Sequence, residues 1–124
     1  MKRLIAAAIL IVFVIGTYVT SYFYIDNTCK KTNELLKNCV TAYEKGEDVK
    51  THTKKLEIYW SSKENSLSVI MNHASMDEIE LTIEALSVHG NYPQNEMFFE
   101  YSNTLSLLLH QLMEDTAFGM HSIL

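Results

Sequence analysis

Five histidines (His52, His73, His89, His110, His121) and two cysteines (Cys29, Cys39) are the residues of this 124-residue chain best suited to metal or redox chemistry. His73 and Asp77 stand four positions apart, as do His110 and Glu114. On helices each pair shares a face and can exchange a proton or form an ion pair. A hairpin of those two helices would gather His73, Asp77, Glu78, His110 and Glu114 into one candidate ligand or interaction site. The plainer use of the same residues is local pairing along each helix. Neither His-Glu-x-x-His nor Glu-x-x-His occurs, so the zinc-protease and di-iron signatures are missing.

Cys29 and Cys39 are ten positions apart, roughly 15 Å along one helix, whereas a disulfide needs α-carbons within about 7 Å. They cannot pair with each other on such a helix. Three uses stay open: small apolar residues on a buried seam, a crosslink between two copies, or a reactive thiol. Met71, Met76, Met97, Met113 and Met120 read as core filler, because no Met-x-x-Met or His-Met motif accompanies them. The sequence holds no Gly-x-Ser-x-Gly, no phosphate-cradling glycine loop and no Ser-x-x-Lys. The expectation is a protein with no catalytic residues, no metal centre and no cofactor.

The elements that must position these residues begin with a greasy one. Leu4 to Ile25 carries no charge, and as a helix it would span roughly 33 Å, enough for the ~30 Å hydrocarbon core of a bilayer. It is longer than the apolar stretch of a cleaved signal peptide, and Tyr18, Tyr22, Phe23 and Tyr24 crowd the place where cleavage would fall. Those tyrosines suit an interfacial aromatic belt. Residues 1–25 are therefore read as a retained transmembrane anchor and residues 26–124 as a helical domain. Lys2 and Arg3 before the span place the domain on the extracytoplasmic side, although Lys30, Lys31 and Lys37 follow it closely.

Beyond the span, Ile25, Cys29, Thr32, Leu36, Cys39 or Val40, and Tyr43 fall at steps of three and four, the period of a helix with one buried seam. The first helix should run on to about Tyr43 and end at Gly46, with Glu47 and Asp48 opening the next. The second carries Val49, Leu56, Trp60, Leu67, Ile70 or Met71, and Ala74. Its middle, Ser61 to Ser66, lacks a seam residue near Lys63 or Glu64; a lysine stem must pack there, or the helix must bend. Ser75 and Glu78 have capping-box spacing and are expected to open a third helix bearing Ile79, Ile83 and Leu86. Gly90 to Pro93 is turn chemistry. The last helix has a broad face of Phe98, Tyr101, Leu105, Leu108 and Leu112, widened by Met97, Leu109 and Met113, with Gly119 ending or fraying it.

Charge is segregated. From Glu64 onward there are nine acidic residues and no Lys or Arg, within a chain of formal net charge -5. That excludes the basic footprint of a nucleic-acid binder. The plain account is a solvated acidic face on the third and fourth helices, packed against a basic first half. The sharper account is a docking surface for a basic partner, or a diffuse cation site in the wall environment. In either case the acidic helices should point away from an anionic bilayer or be shielded from it by the lysine-bearing segment.

The opening MKRLIAAAILIV, Trp60, the stretch LSVIMNHASMDEIELTIEAL and the closing LHQLMEDTAFGMHSIL together resemble domain-of-unknown-function family 4363, a group of short bacterial membrane proteins. The most specific piece is the His-x-x-x-Asp-Glu-Ile-Glu element at His73, Asp77, Glu78, Ile79 and Glu80. The resemblance covers nearly the whole chain and implies a single N-terminal anchor with a small helical domain. It implies no activity, cofactor or catalytic residue.

The sequence thus predicts an all-α protein whose transmembrane helix continues into a bundle of three to four helices. Its partners would be the lipid bilayer and a membrane or envelope protein, with a second copy of the chain as one candidate, and no nucleic acid. The role that fits best is a non-catalytic interaction or scaffold module. The alternatives are a small sensing or ligand- or cation-binding domain with a crevice near His73 and His110, and a rod that self-associates along the seam from Ile25 to Tyr43.

Overall fold

In the computed structural model the backbone is described for residues 1–123 and side chains for residues 1–116. Four helices follow one another: α1 Lys2–Lys45, α2 Val49–Ile70, α3 His73–His89 and α4 Glu96–Ile123. Their short connections make successive helices antiparallel. Among the described residues each helix packs on its two neighbours around a square, α1 closing on α4. The sequence-predicted class, all-α with a long first helix leading into a bundle, is the observed one.

α1 has two halves with different environments. Of residues 4–17 all but Ile15 are exposed, whereas Ile25, Thr28, Cys29, Thr32, Leu36, Cys39 and Ala42 are buried against the other helices. The helix is long and apolar enough at its N-terminal end to cross a membrane. No break separates the halves. The threonines tolerate the core because each satisfies its own hydroxyl: Thr32 Oγ1 donates to the Thr28 carbonyl at 2.7 Å, and Thr28 Oγ1 to that of Tyr24 at 2.8 Å. Gly46 ends α1 in the left-handed conformation, φ 69°, and Glu47 N–H closes back on the Ala42 carbonyl at 2.8 Å. Asp48 then caps α2, its carboxylate accepting from the Thr51 N–H and hydroxyl.

α2 is one unbroken helix with Val49, Thr53, Leu56, Trp60 and Leu67 buried. The gap between Trp60 and Leu67 is filled by the stem of Lys63, whose ammonium lies 5.7 Å from the ring centres of both Tyr24 and Tyr59. The opening of α3 differs from the sequence expectation. The cap is Asn72, whose side chain accepts from the Ala74 N–H at 2.9 Å, so Ser75 lies inside the first turn and forms no capping box with Glu78. Met71 is extended there (ψ 160°), which ends α2 at Ile70 and moves Ala74 to the exposed surface of α3.

Met76, Ile79, Ile83 and Leu86 of α3 meet Phe98, Leu105, Leu109 and Leu112 of α4 in the common core. Fully burying one such side chain stabilises the fold by roughly 1.5–3 kcal/mol. α4 continues through Gly119 to Ile123, so that glycine does not end it; the side chains of Met120 and His121 lie outside the described residues. At the far end from the apolar half of α1, Tyr43 ties three elements together. Its ring stacks on Phe98 at 4.0 Å, and its hydroxyl donates to the Tyr92 carbonyl (2.7 Å) while accepting from the Asn95 N–H (2.6 Å).

Candidate functional site

The five residues singled out by spacing all sit on the outer faces of α3 and α4. His73 is the first residue of α3, exposed beside its cap, and Asp77 and Glu78 are exposed one turn further on. On α4, His110 Nε2 lies 3.0 Å from the Glu114 carboxylate, both side chains about two-thirds exposed (66% and 67%). An exposed pair of this kind contributes a few tenths of a kcal/mol at most. The structure therefore brings His110 and Glu114 together and records no such bond between His73 and Asp77. Among the described residues no group of three or more His, Cys, Asp or Glu side chains is placed to hold a metal ion.

Both cysteines are free and sealed in the core, Cys29 at 1% exposure and Cys39 at 0%. Burial pushes both thiols up to about 12; at Cys29 the Asp26 carboxylate adds to the effect. Of the three uses left open by the sequence, the seam residue is the one found. Neither sulfur is placed to crosslink a second copy, because the seam from Ile25 to Tyr43 is covered by the chain's own helices.

Three features escaped the sequence reading. The first is a carboxylate pair across α2 and α3: hydrogen bonding to Glu64 holds the Glu80 carboxyl above its ordinary range, with slight burial and the charges of Glu64 and Asp77 acting in the same sense. Close by, a cleft of about 220 Å³ is lined by Glu57, Trp60, Ser61, Glu80, Ile83 and Glu84, and the buried Trp60 Nε1 has no hydrogen-bond partner. The second is an apolar stripe along the outside of α3. Ala74, Leu81 and Val88 repeat every seven positions and are exposed, Leu81 at 65%, with Asp77, Glu78 and Glu84 between them. The signal was available: α3 already has a core face, so a second heptad-spaced row is surplus to folding. The third is a groove of about 660 Å³ where the apolar half of α1 meets the α2–α3 corner and α4. Asn72, Ser75 and Asp115 line it, but His73, Asp77, Glu78, His110 and Glu114 do not.

The charge halves do not pair. The ion pairs among the described residues, Lys30–Asp26 and His110–Glu114, each lie within one helix. The acidic helices run the full height of the bundle. Glu96 and Glu100 stand at the Tyr43 end, while Asp115 lines the groove beside Tyr22 and Ile25.

Residues 19–123 match the family described as domain of unknown function DUF4363. The chain belongs to that family. The DUF4363 match takes in the whole bundle but begins at Val19, so most of the apolar segment lies outside it. No curated protein and no solved structure matches the chain. Within the DUF4363 region, the His73-to-Glu80 element divides between two tasks. Ile79 is buried at 1% exposure, His73, Asp77 and Glu78 face outward, and Glu80 reaches the carboxyl of Glu64.

Proposed function

We propose that this DUF4363 protein is a membrane-tethered interaction module, non-catalytic, with its bundle on the extracytoplasmic side. The observation that supports it is the α3 stripe. Ala74, Leu81 and Val88 leave apolar surface in water on a helix whose other face already fills the core, and acidic side chains rim it. A surface of that pattern suits a basic amphipathic helix of a membrane or envelope partner, apolar row against apolar row and lysines toward Asp77 and Glu84. Site-specific photo-crosslinking in intact cells tests this. A photoreactive residue at Leu81 is expected to give a discrete adduct that Glu84→Lys weakens, while one at Ile58 on α2 gives none. Identical adducts from both positions, or none from Leu81, would refute it. Protease added to cells stripped of their wall should cut the bundle while the membrane stays sealed; cutting only after lysis would reverse the orientation.

A second reading, a small ligand- or cation-sensing domain, draws on the cleft formed by Glu57, Glu80 and Glu84 over the unpartnered Trp60 N–H. A rise in melting temperature with one class of organic cation, lost in Glu80→Gln, would favour it over the first.

A further inference from the structure

The free-standing part of α1 is too short to cross a bilayer alone. Residues 4–12 are exposed and at helical rise cover only about 14 Å of a hydrocarbon core of about 30 Å, while Phe13, Val14 and Thr17 already line the groove shared with the α2–α3 corner and α4. Lys2 and Arg3 hold the near boundary at the headgroups, so the far boundary falls about twenty residues on, near Phe23 and Tyr24. Tilting the helix would need still more of its length and draw the bundle deeper. The α2–α3 corner lies below that boundary, because Ile70, Met71 and Asn72 share a groove with Tyr18, Ser21 and Tyr22 of α1. Counted along α1, the corner is immersed by roughly 2–8 Å.

The surface at that level is suited to immersion. Val69 is 84% exposed, Ile70 41% and Phe23 60%, three large apolar side chains at the end of the bundle that faces the span. In water such a cluster is a liability; in the acyl–headgroup boundary it is an anchor. Just above, level with Tyr24, comes the ammonium of Lys63, which lies over the Tyr24 and Tyr59 rings and can reach the lipid phosphates.

Building on the tether reading above, we propose that the bundle does not stand off from the membrane but is seated in it. The α2–α3 corner enters the leaflet on its own side, and Val69 and Ile70 lie among the first acyl carbons. Lipid chains cover the apolar wall of the groove formed by Phe13, Val14 and Leu112, while its polar lining of Asn72, Ser75 and Asp115 takes headgroups and water. The occupant is the phospholipid bilayer itself, continuous with the surface that already surrounds α1.

Fluorescence depth measurement on the full-length chain in phosphatidylcholine–phosphatidylglycerol nanodiscs tests this. An environment-sensitive thiol probe is placed in turn at Val69→Cys, Ile9→Cys and Glu100→Cys; native Cys29 and Cys39 are sealed and stay unlabelled. Emission from position 69 is expected to shift to the blue and to lose intensity to a lipid carrying a nitroxide high on its acyl chain. Position 9 should lose intensity to a nitroxide near the chain end, and position 100 only to a water-soluble quencher. If position 69 answers only to the aqueous quencher while position 9 is quenched from deep in the lipid, the tether stands and the seating is refuted. If position 9 also escapes the lipid quenchers, the tether reading itself falls and the seating with it.

Discussion

Removing one oxygen at Tyr43 gives a sharp check on how the distal end of the bundle is held. Tyr43→Phe keeps the ring that stacks on Phe98 at 4.0 Å and meets Phe99 edge-on at 5.3 Å. It deletes the donor to the Tyr92 carbonyl and the acceptor for the Asn95 N–H, 2.7 and 2.6 Å away. The Tyr92 carbonyl is open to solvent and can turn to water, so its loss costs little. The Asn95 N–H is part-buried, and an unsatisfied donor there costs about 1–3 kcal/mol. The expected net destabilisation is therefore about 1–2 kcal/mol, or a melting temperature lower by roughly 4–10 °C for a domain of this size. Circular dichroism of the full chain in detergent reads the transition, and amide exchange at Asn95 should accelerate more than at core positions of α2. A variant that melts within a degree of the parent, with Asn95 exchange unchanged, would show that stacking alone holds the loop.

Three further outcomes follow from the same geometry. Thiol reagents at pH 8 should leave Cys29 and Cys39 unmodified in the native chain and react with both after denaturation, since burial holds the thiols near about 12; stoichiometric labelling without unfolding would contradict the sealed seam. Gly90→Ala puts a methyl 3.0 Å from Val49 Cγ1 and 3.3 Å from Phe98 Cε2, and this overpacking should cost about 1–3 kcal/mol in urea unfolding; a neutral result would mean the two side chains give way freely. The pH response has two opposite parts. Asp48 sits below its ordinary range, mainly through the Thr51 hydroxyl, so its contribution is present above the unfolded carboxylate value and is lost as pH falls through the folded one. Glu80 sits above its range through Glu64, so its contribution is present in acid and is lost as pH rises through the raised folded value. Glu80→Gln should therefore stabilise the chain by about a few tenths of a kcal/mol at pH 7, with the gain shrinking as pH falls through the raised folded value; a loss at pH 7 would rule out the repulsion.

Where three- and four-residue spacing dominates, the sequence was readable. Ile79, Ile83 and Leu86, and the seam from Ile25 through Cys39, face the core as their periodicity requires. Gly46 ends α1 because only a left-handed residue closes that turn without strain. The start of α3 was misread because Asn72 and Ser75 are both capping types, and the choice between them rests on the extended backbone at Met71, which no local pattern announces. Features made by two distant segments were invisible. The Tyr43 hydroxyl finds partners 49 and 52 positions away, Glu80 meets Glu64 across an interface, and Lys63 fits its gap only because Tyr24 is brought beside it. Of the candidate site, the His110–Glu114 pair was legible as a helical neighbour relation. The α3 stripe is legible in retrospect, once the core face of that helix is known.

An uninterrupted α1 has a mechanical consequence. Its 44 residues form a single strut of roughly 66 Å with no interruption where the exposed apolar half meets the bundle. If the apolar end is held in lipid as proposed, whatever sets its lean is reproduced as a sideways displacement of the opposite tip, where Tyr43 and the Gly90–Asn95 loop lie. The body cannot swivel independently of its stem, so a stem held in lipid would fix the body's azimuth and height together.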